Sequence, residues 1–278
     1  MNGHNLGQRT RTYGQTGPKV FVLHGGPAAV GEAGPVARGL SRNFRTIEPF
    51  QRGSGNEPLT VASHIEDLYE LVGSFSDDSK PSVVGESWGA MLALAYASAY
   101  PESIGALVPI GCGTFDQESR EKMNATIESR LDKTCRKKLR CISTDDVDPD
   151  ERLREYAKLT STAYSFDPIP TDEQLELVEP FDARAHQETW NDMLRLQEKG
   201  TYPAAFSRIT SPVLMIHGAY DPHPGEMIYA TLSKHIPHLE YQELERCGHS
   251  PWQERQARKE FFMVTTNWLL TNCDRPQG

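Results

Sequence analysis

A short apolar run passes directly into a long alanine-rich segment, and this junction constrains the fold more than any other feature of the chain. Ser82–Gly85 has the composition of a buried strand, and Trp88–Tyr100 has that of an apolar helix. A strand that turns straight into a helix needs a sharp bend, and glycines on both sides prevent a clash between the two elements. The bend is the pentad GESWG, and it predicts a strand–turn–helix unit that projects the hydroxyl of Ser87.

The alternation of strand and helix extends along the chain on both sides of this junction. Six short runs share the apolar, bounded pattern of a buried strand: Val20–Leu23, Phe44–Phe50, Ser82–Gly85, Ile104–Ile110, Val213–His217 and Leu239–Leu244. Four further segments carry helical patterns: Val61–Phe75, Trp88–Tyr100, Met227–His235 and Glu254–Leu270. This rhythm predicts an α/β fold with a mostly parallel central sheet and helices on both faces.

The rhythm stops between the fourth and fifth of these strands, where only polar helical segments are found. Three of them carry helix-start signals or helical length: Asp148 with Pro149, Thr171 with Gln174, and Ala183–Lys199. These segments predict a run of helices without a strand.

The helical run interrupts the α/β core, because strands of the same kind precede and follow it. We therefore predict a core made of residues 1–113 and 207–278, with residues 114–206 inserted as a helical cap.

Composition excludes several classes of protein. Lys and Arg total 29 against 38 Asp and Glu, a net charge of −9 without a basic stripe, so we expect no nucleic-acid partner. No apolar run approaches the ~20 residues that span a bilayer, and the N-terminal segment lacks the apolar stretch of a secretory signal. The five cysteines form no C-x-x-C pair, which favours a cytoplasmic compartment. We expect a small-molecule substrate and no membrane partner; the oligomeric state is left open.

Two later loops supply partners for a serine nucleophile. Asp221 lies in the loop after the strand at 213–217, and His249 lies in the loop after the last strand. The carboxyl ends of parallel strands meet at one edge of the sheet, and the order Ser, acid, His is the one that this strand–turn–helix unit requires. We predict a catalytic triad of Ser87, Asp221 and His249, with Asp116 as the alternative acid.

The remaining candidate residues surround this triad. The backbone N–H groups of Trp88 and Gly26 are the expected oxyanion-hole donors, since one follows the nucleophile and the other lies in a glycine-rich loop. Gly25, Glu86 and His223 are candidate residues of the substrate pocket. No spacing of Cys and His indicates a metal site, and the proposed chemistry needs no cofactor.

These motifs together resemble a known superfamily. HGGP at residues 24–27, QRGSG at 51–55 and GESWG at 85–89, with the loop aspartate and histidine, resemble the α/β-hydrolase superfamily, and within it the proline iminopeptidase-like branch of serine aminopeptidases. The resemblance covers about residues 18–113 and 210–272. It implies an α/β-hydrolase fold, a serine acyl-enzyme and a helical cap over the pocket.

The resemblance also indicates where this chain differs from the branch. Ala28, Phe50 and Glu86 stand where the branch usually has Gly, Asp and Gly. The branch binds the free amine of its substrate through cap glutamates near tryptophans, and this chain has Glu188 beside Trp190 among several cap acids. The resemblance to the branch makes hydrolysis of a small amide or peptide our first expectation. A carboxylesterase or lactonase, a C–C bond hydrolase and a non-catalytic ligand receptor are the alternatives.

Overall fold

A single sheet organises the part of the chain that the computed structural model describes, which is residues 10–75, 79–144, 147–170 and 180–273. The strands in these residues are β1 (Thr10–Tyr13), β2 (Lys19–Leu23), β3 (Arg45–Pro49), β4 (Ser82–Glu86), β5 (Leu107–Ile110), β6 (Val213–Gly218) and β7 (Leu239–Leu244). Their order is β1-β3-β2-β4-β5-β6-β7. Only the β1–β3 pair is antiparallel, so the predicted mostly parallel sheet is confirmed.

Helices cover both faces of this sheet, as predicted. The helices of the described residues are α1 (Gly34–Leu40), α2 (Val61–Phe75), α3 (Trp88–Ala99), α4 (Gln117–Arg130), α5 (Lys133–Thr144), α6 (Pro149–Tyr164), α7 (Ala183–Glu198), α8 (Gly225–Leu232) and α9 (Arg258–Asn272). One apolar cluster joins α2, α3 and α8 to one face of the strands, and a second joins α1 and α9 to the other. Successive strand residues alternate between the two clusters, as the period of a strand requires.

The centre of the sheet explains the junction between β4 and α3. All five residues of β4 are buried, because helices cover both of its faces. Alanines and small residues make α3 apolar all round, which suits a helix enclosed by the sheet on one side and by α2 on the other. Both elements agree with the prediction to within one residue.

Four helices, α4–α7, occupy the described residues between β5 and β6. Helix α6 packs against α4, α5 and α7, and the carboxylate of Asp148 accepts hydrogen bonds from the N–H groups of Asp150 and Glu151, as the N-cap prediction required. Thr171 and Gln174 lie outside the described residues. No strand occurs among the described residues of 114–206, where an isolated bridge joins Pro168 to Glu254. The boundaries between core and cap stay a prediction.

Helix ends differ from the sequence expectation near the C-terminus. Residues Pro251–Gln253 form a 3₁₀ turn, so the last helix begins at Arg258 rather than Glu254. The preceding helix ends at Leu232, three residues earlier than expected. Within the described ranges, no helix has the length and apolar character needed to cross a bilayer.

Candidate active site

Ser87 stands at the bend between β4 and α3 in a strained backbone conformation. Its φ is 52°, a value that residues other than glycine rarely adopt. A Cβ at Gly85 would lie 2.2 Å from the carbonyl oxygen of Gly89, and one at Gly89 would lie 2.5 Å from that of Leu23. The two glycines therefore let the strand, the bend and the helix approach one another, while Ser87 is held in place.

Asp221 and His249 meet at the same edge of the sheet, in the loops after β6 and β7. The Nδ1–H of His249 donates a hydrogen bond to Oδ2 of Asp221 at 2.7 Å. This bond fixes the tautomer of His249 and leaves its Nε2 as the proton acceptor. The carboxylate of Asp221 is fully buried, so its charge acts on its neighbours with little screening from water.

Two contacts bring the histidine loop to the bend that holds the serine. The Ser87 N–H donates to the carbonyl oxygen of Ile110 at 2.8 Å, and a Cβ on the next residue, Gly111, would lie 3.0 Å from Nδ1 of His249. The hydroxyl of Ser250 donates to Oε1 of Glu86 at 3.1 Å. The structure thus assembles all three predicted triad residues at one edge of the sheet.

The charges in this cluster shift the pKa values of its members. Burial disfavours the imidazolium of His249, but the carboxylate of Asp221, with Glu86 and Glu32, outweighs burial and raises the pKa of His249 above its usual value. Burial also disfavours the carboxylate of Asp221, but its histidine neighbours outweigh burial and hold the pKa of Asp221 well below its usual range. The pair is therefore arranged to stabilise an imidazolium beside an ionised carboxylate.

The first glycine-rich loop lies against Ser87. A Cβ at Gly25 would lie 3.3 Å from Cβ of Ser87, and Gly26 has a φ of 106°. His24 is buried, and its Nδ1–H donates to the carbonyl oxygen of Gly25 at 2.9 Å. Burial lowers the pKa of His24 to about 4, which keeps it neutral. The loop therefore brings Gly25 to Ser87, with Gly26 as the next residue and His24 as a packing residue.

The side chain of Gln51 connects this loop to Trp88 through hydrogen bonds. Its side-chain amide donates to the carbonyl oxygen of His24 at 3.1 Å and accepts from the indole N–H of Trp88 at 2.8 Å. These bonds fix the indole of Trp88 on the side of α3 that faces the loop. Its backbone N–H remains at the helix start, where a developing negative charge is favoured.

Two carboxyl groups, Glu86 and Glu32, accompany the triad. Glu86 is 7% exposed, and its Oε2 makes no hydrogen bond within the described residues. Burial and the proximity of Glu32 raise the pKa of Glu86 to about 8, and burial raises that of Glu32 to about 7. Sequence reasoning included Glu86 and missed Glu32, because a single acid in a loop without a motif carries no signal.

His223 lies beside Asp221 and His249. Its Nδ1–H donates to Oδ1 of Asp221 at 2.8 Å, and its ring stacks on that of His249 with centroids 4.7 Å apart. Asp221, His223 and His249 also offer ligand atoms within 4.8 Å of one another, close enough for a metal ion. Both histidines already hydrogen-bond to the carboxylate, so the cluster is satisfied as it stands.

Other candidate residues have structural partners. Asp116 caps α4 by accepting a hydrogen bond from the N–H of Ser119 at 2.7 Å. Glu188 accepts from the N–H of Leu59 at 2.8 Å and pairs with Arg184. These bonds account for the alternative acid and for the cap glutamate that the sequence singled out.

Comparison with known proteins shows which proteins this chain is similar to. The profile of the "Alpha/beta hydrolase family" matches residues 20–262. Proline iminopeptidase of Neisseria gonorrhoeae is 36% identical over 104 residues, which cover 33% of this chain and 32% of that protein. The match thus spans about a third of the length of the relative.

Longer matches are more distant in sequence. The 2-hydroxy-6-oxo-6-(2'-aminophenyl)hexa-2,4-dienoic acid hydrolase of Metapseudomonas resinovorans is 23% identical over 268 residues, covering 93% of this chain and 86% of that protein. The crystal structure of VinJ matches with a TM-score of 0.69 at 17% identity, covering 95% and 94% of the two chains. Similarity at this level of identity concerns the fold.

Proposed function

The chain belongs to the alpha/beta hydrolase family, and from this we propose that it is a serine hydrolase with Ser87, His249 and Asp221 as its catalytic triad. The observation that carries the proposal is the 2.7 Å hydrogen bond between His249 and the buried Asp221, placed beside a serine whose φ is 52°. A serine hydroxyl is a poor nucleophile near neutral pH, so the adjacent base is what makes this arrangement reactive.

The proposed reaction proceeds in two acyl-transfer steps. The oxygen of Ser87 attacks a substrate carbonyl while Nε2 of His249 takes the hydroxyl proton, and the N–H groups of Trp88 and Gly26 stabilise the oxyanion. The carbon–leaving-group bond breaks as His249 returns that proton to the leaving group. Water then attacks the acyl-enzyme and gives its proton to His249, which releases the carboxylic acid and restores Ser87.

We further propose that the substrate is a small amide or peptide with a free amine near the scissile carbonyl. Glu86 supports this substrate class, because it is buried next to Ser87 and has one oxygen without a partner in the described residues. Glu32 adds a second carboxyl group near it. A cationic amine would compensate the negative charge of these carboxyl groups, whose pKa values burial raises, with the proximity of Glu32 adding to the effect on Glu86.

One observation favours an ester or lactone as the alternative substrate. Three acids of residues 180–206 bind main-chain N–H groups of the 54–61 segment: Asp182 at Ser54, Glu188 at Leu59 and Asp192 at Val61, at 2.7–2.9 Å. These carboxylates hold the loop after β3 in place. Of the carboxyl groups that the described residues place near Ser87 and His249, Glu86 and Glu32 would then remain to select an amine.

Turnover of arylamides and of short esters distinguishes the two proposed substrate classes. We expect turnover of alanine and proline arylamides, and we expect Glu86→Gln to raise KM for these amines about tenfold, since a charged hydrogen bond is lost. KM for a short p-nitrophenyl ester should stay unchanged in the same variant. Glu128→Gln, at an exposed position of α4, is the matched control. Ester turnover without arylamide turnover would remove the aminopeptidase assignment and favour the esterase.

A further inference from the structure

We propose that His223 is a positioning residue of the triad, which orients Asp221 and sets how strongly Asp221 holds the proton of His249. The inference rests on the proposed function. His223 binds Oδ1 of Asp221 through both its backbone N–H, at 2.9 Å, and its ring Nδ1–H, at 2.8 Å. His249 binds the other oxygen, Oδ2, at 2.7 Å. One carboxylate thus receives a ring N–H from two histidines, one on each oxygen.

A third histidine fixes the main chain of His223. Nε2–H of His217 donates to the carbonyl oxygen of His223 at 3.0 Å and lies 3.3 Å from Oδ2 of Asp221. His217 is 1% exposed, and its burial lowers its pKa, so it is a neutral donor at this position. The His223 ring therefore starts from a fixed backbone and has little freedom to leave Asp221.

The stacked rings give His223 a second effect on the base. The His223 and His249 rings are inclined by 22° with centroids 4.7 Å apart, and the ring of Tyr164 contacts both from α6. A ring held this way prevents His249 from rotating off Asp221 when it accepts a proton. The side chain of His223 is 10% exposed, so it has little room to act as a wall of an open pocket.

Four ionisable groups lie beside His223: the carboxylate of Asp221, the imidazoles of His249 and His217, and the phenol of Tyr164. The phenol stays neutral because burial raises its pKa, and the three histidines outweigh burial and hold the pKa of Asp221 well below its usual range. Glu86 and Glu32 act on the same cluster through His249. While His223 donates to Oδ1, part of the negative charge of Asp221 is stabilised away from His249.

Removing this donor should therefore alter both the rate and its pH dependence. In His223→Leu the carboxylate of Asp221 loses the ring N–H and keeps the backbone N–H on Oδ1, so its charge acts more strongly on His249. The pKa of His249 should then rise further, and the acid limb of activity should move to higher pH. We expect the second-order rate of Ser87 labelling by a fluorophosphonate to fall about ten- to a hundredfold. His223→Asn places an amide N–H near the position of Nδ1, and should restore the rate to within about threefold of wild type.

The control pair is His235→Leu and His235→Asn. His235 follows α8 and precedes β7, at the end of the sheet opposite the triad, so both changes should leave the labelling rate and its pH profile unchanged. Equal labelling profiles for wild type and His223→Leu would overturn the inference. If His223→Leu does not fold, a profile for His223→Asn that differs from wild type as strongly as a triad variant would overturn it as well.

A spectroscopic readout is independent of catalysis. Proton NMR of wild type should show two downfield imidazole Nδ1–H signals, one removed by His223→Asn and the other by His249→Asn. A single such signal, assigned to His249, would overturn the inference whatever the activity. Failure of wild type to label at Ser87 would instead count against the proposed function, and the two failures are therefore distinguishable.

Discussion

At the scale of single residues, the protonation of His249 controls the proposed reaction. His249 accepts a proton from Ser87 only when its imidazole is neutral, so activity should be lost as the pH falls through its pKa. That pKa lies above the usual value because the carboxylate of Asp221, which is hydrogen-bonded to Nδ1 of His249, outweighs the effect of burial. The acid limb of kcat/KM should therefore lie at a higher pH than the pKa of an ordinary histidine.

Glu86→Gln tests whether Glu86 is ionised where His249 titrates. Burial and the proximity of Glu32 raise the pKa of Glu86 to about 8, so its side chain is mostly protonated across the acid limb. The amide keeps the shape of the neutral acid, and the acid limb of kcat/KM for a short ester, which has no amine that would titrate, should therefore stay in place. A limb that moves to lower pH would show that Glu86 is ionised there and raises the pKa of His249 through its charge.

At the scale of elements, the bend between β4 and α3 depends on two close backbone approaches. A Cβ at Gly85 would lie 2.2 Å from a backbone carbonyl oxygen, which cannot move without displacing α3. Gly73, in α2, has nothing within 4 Å of a Cβ. A side chain at position 85 would therefore clash with the backbone, whereas one at position 73 has free space.

Gly85→Ala and Gly73→Ala form a matched pair. Gly85→Ala should lower the free energy of unfolding by about 1–3 kcal/mol, through overpacking against backbone. Gly73→Ala should raise it by about 0.5–1 kcal/mol, since alanine favours the helix. Urea unfolding followed by circular dichroism measures both. Similar unfolding midpoints for the two variants would contradict the account of the bend.

Elements that are buried on all sides could be predicted from the sequence, and those stabilised mainly by neighbours could not. β4 and α3 are mostly apolar along their whole length because the sheet and α2 enclose them. Helices α4 and α5 were missed, because their residues are polar and mixed in charge; both pack against α6. Propensity and periodicity do not report such packing.

The same limit applies to the site. Ser87, Asp221 and His249 could be predicted because each follows a strand at the same edge of the sheet. Glu32 could not, because only the fold brings it near Glu86. The QRGSG segment likewise gives no indication of the partner of Arg52, which the structure pairs with the carboxylate of Asp67. A partner fifteen residues away, on α2, leaves no local signal in the sequence.

At the scale of the whole molecule, the segment after α6 is tied to the loop that carries His249. The carbonyl oxygen of Tyr164 accepts from the N–H of His249 at 2.8 Å. The buried carboxylate of Glu254 accepts from the N–H groups of Phe166, Asp167 and Gly248 at 2.7–3.0 Å. The segment between β5 and β6 therefore helps to position the loop that carries His249.

Glu254→Gln should weaken this connection, because an amide cannot accept from three N–H groups as a carboxylate does. We expect a loss of about 1.5–3 kcal/mol in the free energy of unfolding. We also expect faster proteolysis within residues 165–170 and a lower kcat with little change in KM. Glu245→Gln, at an exposed position of the neighbouring loop, serves as the control and should match wild type. Unchanged cleavage and kcat in Glu254→Gln would contradict the proposed link.

Covalent labelling of Ser87 tests the central claim most directly. The protein is incubated with a fluorophosphonate, the intact mass is measured, and the modified residue is mapped by peptide mass spectrometry. We predict one adduct per chain at Ser87, none in Ser87→Ala, and unchanged labelling in Ser207→Ala, whose serine is exposed on the 3₁₀ turn Ala204–Arg208. An unlabelled wild type, or an adduct that persists in Ser87→Ala, would contradict the assignment of Ser87 as the nucleophile.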